Sequence, residues 1–216
     1  MDRGVRNVAV SAGLLLSLAG CGGGGARPAV AAAPADAESD WRRLASVPDR
    51  DRLREWRTAW TVSLAAAQQT PDGARAIAAD AALFDPDRVL ANPLPPAGEY
   101  RCRTIKLGRR GGVGLGYVAY DRFRCRVAPG DAPIGFAKLG GSQRQAGMLY
   151  ADTNARAIFL GALALGDEAR VMNYGRDRRR DIAGIVERIG PQRWRIVFPY
   201  PTFESTLDLL ELAPVG

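Results

Sequence analysis

The chain has 216 residues, with 30 basic and 23 acidic side chains, a formal net charge of +7 at pH 7 and no histidine. Without histidine there is no Ser-His-Asp or Cys-His catalytic pair and no imidazole metal ligand, so the familiar zinc hydrolases are excluded. No metal site and no cofactor are predicted, and any acid–base catalysis falls to Asp, Glu, Tyr or Lys.

The first predicted element is an export signal with a lipid-attachment site. Arg3 and Arg6 precede a short apolar run that ends in Leu18-Ala19-Gly20-Cys21. This layout is typical of a secretory signal, and its ending resembles the lipobox of bacterial lipoproteins. The apolar run is too short for a membrane-spanning helix, which needs about 20 residues. The resemblance implies that residues 1–20 are removed and that the Cys21 thiol is acylated.

Residues 21–40 are predicted to form a lipidated, flexible tether, because they consist of Gly, Ala, Pro and a few charges without apolar periodicity. Gly22 stands where, in some bacteria, an Asp retains lipoproteins at the inner membrane. We therefore expect a lipid anchor on the periplasmic side of the outer membrane. A basic protein in that compartment meets anionic lipids, glycans or envelope proteins, so no nucleic-acid partner is predicted.

Residues 41–97 are predicted to be a helical lead-in. Leu53, Trp56 and Trp60 recur at spacings of three and four, which places them on one stripe of a helix over residues 48–69. Packing of this stripe on the rest of the domain is the favoured interpretation, and anchoring in a membrane interface is the alternative. A second, Ala-rich helix follows, and then a proline-rich extended connector.

Residues 98–213 change to short alternating runs, which predict a mainly β domain of eight or nine antiparallel strands. Consecutive strands that close into a small up-and-down barrel fit this order best, and a two-sheet β-sandwich is the alternative. The predicted strands cover residues 99–107, 115–127, 134–138, 146–151, 157–165, 169–174, 182–189, 194–198 and 207–212.

Cys102 and Cys125 are the two cysteines that are left once Cys21 is acylated. An even pair in an oxidising compartment predicts a disulfide. A hairpin whose loop is centred on residues 111–114 places Cys102 directly opposite Cys125. In that register Phe123 and Val127 face the core, whereas the arginines at positions 122, 124 and 126 face solvent.

The densest polar cluster lies at residues 173–181, in a turn between two predicted strands. Tyr174, Arg176 and Arg179 are candidate ligand-binding residues here, because arginine binds phosphate and carboxylate groups bidentately. A run of charges at a loop tip is more often simply solvated, and the aspartates at 177 and 181 can neutralise it.

Charged side chains on the predicted strands form a second candidate group. Glu187 is predicted to face Arg195 as a partly exposed salt bridge, worth under about 1 kcal/mol. The sharper hypothesis turns some of these charges into the barrel, where they line a ligand cavity. The charges in question are Arg144, Glu187, Arg193, Arg195 and Glu204. Glu187 and Glu204 would then be a pair of carboxylates for glycan hydrolysis, although nothing in their spacing requires it.

Several short motifs resemble those of a bacterial envelope family defined as domain of unknown function 4893, over about residues 40–213. The resemblance implies no activity. The Tyr100-x-Cys102 opening of a small disulfide-bearing barrel also resembles periplasmic lysozyme- or protease-inhibitor lipoproteins at the level of the fold. The family motifs are Trp41-Arg42-Arg43-Leu44, Asp51-Arg52-Leu53, Tyr100-Arg101-Cys102-Arg103, Gly141-Ser142-Gln143-Arg144, Phe159-Leu160-Gly161, Tyr174-Gly175-Arg176-Asp177 and Glu187-Arg188-Ile189-Gly190.

The sequence as a whole favours a non-enzymatic envelope lipoprotein that binds a partner protein or an amphiphilic or anionic ligand. One alternative is an inhibitor of a lysozyme or protease that inserts the loop 108–116 into the cleft of the hydrolase. The other is a histidine-independent, glycan-active enzyme that uses Asp or Glu.

Overall fold

The computed structural model describes residues 40–112 and 115–215. The predicted signal peptide, Cys21 and all but the last residue of the predicted tether lie outside these residues. Within the described part, five helices precede eight strands. The helices are α1 (Trp41–Leu44), α2 (Val47–Arg54), α3 (Trp56–Gln68), α4 (Pro71–Ala79) and α5 (Ala81–Phe84). The strands are β1 (Gly98–Leu107), β2 (Tyr117–Val127), β3 (Ile134–Lys138), β4 (Gln143–Ala151), β5 (Ala157–Leu165), β6 (Asp181–Gly190), β7 (Arg193–Pro199) and β8 (Leu207–Pro214).

The eight strands form one closed antiparallel barrel in chain order. Each strand pairs with the next, and β8 closes the barrel by pairing with β1 along its whole length. The predicted up-and-down barrel is therefore confirmed, and the sandwich alternative is wrong. The wall is incomplete at one place, because the short β3 pairs only with Cys125–Val127 of the much longer β2.

Alternation along the strands divides the barrel wall into an inner and an outer face. The inner face carries an apolar cluster that includes Trp194, Ile196 and Phe198 of β7, as the sequence predicts. Phe159 of β5 lies among them, with its ring centroid 5.9 Å from that of Phe136 and 5.6 Å from that of Phe198, both edge to face. An eight-stranded barrel is just wide enough for side chains to fill, and here they do so everywhere except at one polar end.

The β1–β2 hairpin holds the predicted disulfide in a different register from the predicted one. Cys102 and Cys125 are bonded, with their Cα atoms 5.9 Å apart. Cys125 nevertheless pairs with Tyr100, and Cys102 pairs with Phe123, so the two half-cystines are diagonal rather than directly opposite. The predicted register was wrong by two residues, which leaves each side chain on the predicted face because the side-chain period of a strand is two.

Of the nine predicted strands, the one at residues 169–174 is not a strand. These residues belong to the long loop between β5 and β6. Because β5 already pairs with both β4 and β6, the closed sheet has no free position next to it for another strand. The apolar residues of this segment pack against the outside of the barrel instead.

The predicted helix over residues 48–69 is two helices, since the backbone of Glu55 (φ −87°, ψ 9°) leaves the helical conformation between α2 and α3. Trp56 and Trp60 are both buried and pack edge to face, with centroids 6.2 Å apart. They belong to an apolar cluster that joins the helices to the outer face of the barrel. The interpretation that the tryptophan stripe packs on the domain is thus confirmed.

The Ala-rich predicted helix is also divided, into α4 and α5, at Asp80. The carboxylate of Asp80 accepts a hydrogen bond from the backbone N–H of Leu83 and so caps α5. The same carboxylate accepts hydrogen bonds from the guanidinium of Arg193 on β7. One side chain thereby begins a helix and attaches it to the barrel. The helices as a group pack mainly against β6, β7, β8, β1 and β2.

Candidate functional site

An apolar groove lies on the outer face of β3 and β4, beside the part of the barrel that the helices cover. Its volume is about 640 Å³. Ala137 of β3 and Ala146 of β4 pair directly with each other on its floor, and their small side chains leave the depression open. We call this surface the outer groove. The leucine and methionine residues that line it are Leu44, Met148, Leu160 and Met172.

Arginines lie at the edge of the outer groove. Arg126 lines one side and forms a salt bridge with Glu99. Gly175, in the β5–β6 loop, lines another part and is followed by the exposed Arg176 and Arg179. Arg176 and Arg179 are the arginines predicted to bind an anion. Among the described residues neither forms a salt bridge, and both are exposed.

Tyr174, which the sequence groups with these arginines, instead attaches the β5–β6 loop to the helices. Its hydroxyl donates a hydrogen bond to the carboxylate of Asp49 and accepts one of 2.9 Å from the backbone N–H of Ser46, the N-cap of α2. Burial and the Asp49 carboxylate raise the pKa of Tyr174 to about 12. The ring lines the outer groove, but its hydroxyl is already used by the protein.

Arg144 was predicted to bind ligand, yet its guanidinium is used within the fold. It donates hydrogen bonds to the carbonyl oxygens of Gly141, Gly166 and Glu168, which ties the β3–β4 turn to the start of the β5–β6 loop. Arg180, in the same loop, forms a bidentate pair with the Glu168 carboxylate. Both arginines therefore shape the loop that borders the outer groove.

Glu187 and Arg195 face each other across β6 and β7 as predicted, but they form a fully buried ion pair. Their side chains are 0% exposed, with Arg195 Nε 2.8 Å from Glu187 Oε2. The guanidinium also donates to the carbonyl oxygens of Leu83 and Asp85, at 2.9 and 2.8 Å, at the C-terminal end of α5. The expectation of a partly exposed pair was wrong because the helices cover this part of the outer face.

The structure does not bring Glu187 and Glu204 together. Glu187 lies on the outer face of the barrel, beneath the helices, where it also accepts a hydrogen bond from Arg156 at 2.8 Å. Glu204 lies in the loop between β7 and β8, where it forms a salt bridge of 3.3 Å with Lys106. The hypothesis that some of the strand-associated charges turn into the barrel is wrong for Arg144, Glu187, Arg193 and Arg195, which lie on its outer face. Glu204 differs from these four, because it lines a pocket at one end of the barrel interior.

The interior instead opens at one end into a small polar pocket of about 80 Å³, which we call the mouth pocket. It lies at the end of the barrel where β1 and β3 finish, beside the part of β2 that β3 leaves uncovered. Its polar lining residues are Thr104, Lys106, Tyr120, Lys138, Ser142, Gln143 and Glu204.

The two lysines of the mouth pocket have different surroundings. Lys106 Nζ lies 3.1 Å from Asp208 Oδ2 and 3.1 Å from Gln143 Oε1. Burial acts to lower the pKa of Lys106, but the carboxylates of Asp208 and Glu204 outweigh it, and that pKa lies above its ordinary value. Lys138 has no such carboxylate, so burial, together with Arg144 and Lys106, lowers its pKa to about 8.

The sequence interpretation missed the mouth pocket, although a signal for it was present. Lys106 and Lys138 are the only lysines in a chain whose other basic residues are all arginine. Lys106 follows Cys102 at an even spacing on β1, and Lys138 follows Phe136 on β3, so both share a face with residues of the inner cluster. Strand alternation alone would have placed both ammonium groups inside the barrel.

The loop 108–116, which the inhibitor hypothesis uses, is described except for residues 113 and 114. The backbone N–H of Arg110 donates to the carbonyl oxygen of Glu204 at 3.3 Å. The guanidinium of Arg110 donates to the carbonyl oxygen of Pro201. Leu115 is exposed. This part of the loop is thus fastened to the β7–β8 loop next to the mouth pocket.

Within residues 40–112 and 115–215, no helix has the length and apolar character needed to span a bilayer. The same residues contain no group of three or more acidic or cysteine side chains placed to hold a metal ion.

Together these features define a closed eight-stranded up-and-down barrel with an apolar interior, a polar mouth and helices packed on one side. Residues 41–212 match the family described as Domain of unknown function (DUF4893). The chain therefore belongs to the DUF4893 family, as its motifs indicated. No curated protein and no solved structure matches it.

Proposed function

We propose that this protein is a non-enzymatic, lipid-anchored binding protein of the bacterial envelope, whose outer groove holds an amphiphile with an apolar chain and an anionic headgroup. The observation that carries the proposal is the outer groove itself, an apolar depression lined by Arg126 and bordered by the β5–β6 loop that carries Arg176 and Arg179. Its volume of about 640 Å³ lies within the range of about 300–1,000 Å³ that is usual for small-molecule sites.

The lining of the groove supports an apolar chain as the occupant. Leu44 and Met172 line it and are 44% and 41% exposed, respectively. Large apolar side chains exposed side by side typically mark a surface that another apolar group covers. Met148 and Met172 are flexible and polarizable, which suits a chain of variable conformation.

The charge at the groove edge supports an anionic headgroup. Arg176 and Arg179 are exposed, and each can donate two parallel hydrogen bonds to a phosphate or carboxylate. An amphiphile whose chain lies along Ala137 and Ala146 has its headgroup within reach of this loop if it leaves the groove past Gly175.

The predicted lipid anchor supports a membrane setting for this ligand. Acylation of Cys21 holds the protein at a lipid surface, where anionic amphiphiles are concentrated. Leu44, which lines the outer groove, belongs to α1, the first helix after the predicted tether. The groove is therefore close in sequence to the anchor.

Removal of the two edge arginines is expected to weaken binding to anionic lipid. The protein for this test starts at Gly22 and is secreted without a lipobox, so that flotation with vesicles does not report the anchor. Each arginine near an anionic surface contributes about 1 kcal/mol, so the double variant Arg176→Ala/Arg179→Ala should bind phosphatidylglycerol vesicles about thirtyfold more weakly.

Two further variants separate groove binding from general attraction. Arg54→Ala/Arg75→Ala makes the same change in net charge on α2 and α4 and should bind nearly as the parent protein does. Ala137→Phe fills the groove without altering any charge and should lower uptake of a fluorescent fatty acid. If the edge variant binds anionic vesicles like the parent and Ala137→Phe takes up the probe normally, the amphiphile site is wrong.

The anchor is tested separately by metabolic labelling with an alkyne-bearing fatty acid. The wild-type protein should carry the label, and Cys21→Ser should carry none, because acylation requires that thiol. Cys102→Ser/Cys125→Ser retains Cys21 and is the control for general labelling of cysteine. Wild-type protein without label would remove the lipoprotein part of the proposal and leave the groove to be judged by flotation.

A further inference from the structure

We propose that the mouth pocket binds a small monocarboxylate, held by the ammonium group of Lys138 and the hydroxyl of Thr104. This site lies inside the barrel, whereas the outer groove lies on the opposite face of the sheet. The two proposals therefore concern different ligands and can fail independently.

Lys138 is a buried cation without a carboxylate partner. The residue is 5% exposed, and its Nζ donates hydrogen bonds to the carbonyl oxygens of Gly140 and Gln143, at 2.9 and 2.8 Å. Nζ also lies 4.3 Å from the ring centroid of Phe123. Among the described residues no acidic side chain forms a salt bridge with it. Buried charges in proteins are normally paired, so this environment favours an anion supplied from outside.

Thr104 provides a second, independent observation. Its side-chain Oγ1 is buried and has no hydrogen-bond partner in the described structure, and the residue lines the mouth pocket. Most buried polar atoms are paired, so an unpaired hydroxyl beside a cavity indicates that a polar molecule occupies it.

The distribution of charge in the pocket favours a monoanion. Both carboxylates, Asp208 and Glu204, lie beside Lys106, at 3.1 and 3.3 Å. The two lysines and the two carboxylates sum to no net charge, but Lys138 has no negative group of its own beside it. A dianion such as phosphate would bring a second negative charge close to Glu204, which like-charge repulsion disfavours.

The size of the pocket limits the carboxylate to a short one. A cavity needs about 10–15 Å³ of water-accessible volume to hold one water molecule. The mouth pocket, at about 80 Å³, therefore has room for roughly five to eight such volumes. This is room for a carboxylate of two to four carbon atoms.

The presence of only two lysines allows a direct test on the mature lipoprotein in detergent micelles. Growth with lysine labelled with ¹³C at the ε carbon gives two lysine side-chain signals, from Lys106 and Lys138. Titration with acetate or lactate should shift the Lys138 signal to saturation, while the Lys106 signal serves as the internal control. Sodium chloride and phosphate at matched ionic strength should produce no saturable shift.

Substitutions then test the roles of the two residues. Lys138→Met should abolish saturable acetate binding measured by calorimetry, and Thr104→Val, which keeps the shape of the side chain, should weaken it about tenfold. Arg176→Ala/Arg179→Ala, outside the barrel, should bind acetate like the parent protein. The proposal is overturned if no carboxylate shifts the Lys138 signal of the wild-type protein, or if chloride at the same ionic strength shifts it equally.

Discussion

Replacement of Arg195 with methionine is expected to lower the free energy of unfolding by about 3–5 kcal/mol, the usual loss when one partner of a buried ion pair is removed. The change would leave the fully buried carboxylate of Glu187 without its principal partner. It would also remove donors from the carbonyl oxygens of Leu83 and Asp85, at the junction between α5 and the barrel. We expect the helices to lose much of their attachment to the barrel.

Urea unfolding followed by tryptophan fluorescence measures this effect, since Trp60 lies 4.6 Å from the Arg195 guanidinium. Arg54→Met, which removes an exposed ion pair with Asp51, is the control and should change stability by no more than about 1 kcal/mol. The double variant Glu187→Leu/Arg195→Met should be more stable than Arg195→Met, because it leaves no fully buried charge unpaired. Arg156, the other partner of Glu187, is partly exposed and can be solvated. A loss from Arg195→Met as small as that of the control would contradict the buried pair.

Loss of the Cys102–Cys125 disulfide is expected to destabilise the protein by about 3 kcal/mol on the chain-entropy model for a loop of this length. Both half-cystines are fully buried on the inner face of the barrel, so a reductant should act slowly on the folded protein. The bond joins two strands that already pair with each other, and the unfolded state therefore accounts for most of the effect.

Urea midpoints of the oxidised and reduced protein, both made without Cys21, give the size of this effect. The variant Cys102→Ala/Cys125→Ala should resemble the reduced protein and should not respond to reductant. An oxidised protein with the same midpoint and slope as the reduced protein would show that the bond does not contribute to stability.

Alternation along the strands was enough to predict most of the barrel. Trp194, Ile196 and Phe198 were correctly placed inside, and β3 and β5 have their predicted bounds. The β1–β2 register was not predictable from alternation, because a shift of two residues preserves every face. Next to the turn the register differs from the predicted one by three residues, and an irregularity between Arg103 and Ile105, which no local pattern marks, reduces the difference to two at the cysteines.

The candidate residues were harder to predict, because their surroundings come from distant parts of the chain. The pairing of Glu187 with Arg195 follows from the hairpin, but their burial depends on helices about 100 residues earlier. Tyr174 likewise meets Asp49 across 125 residues of sequence. Only the placement of Lys106 and Lys138 inside the barrel was available from local alternation.

The short length of β3 has a consequence for how copies of this protein behave when crowded together. Beyond Cys125, towards the mouth, β2 has no neighbour on one side among the described strands, so its backbone groups there are free to pair with a strand from another molecule. Asp121 and Arg122 are exposed along this stretch. Charged residues on such a stretch are a common defence against edge-to-edge aggregation, and these two side chains would keep neighbouring molecules from joining into fibres.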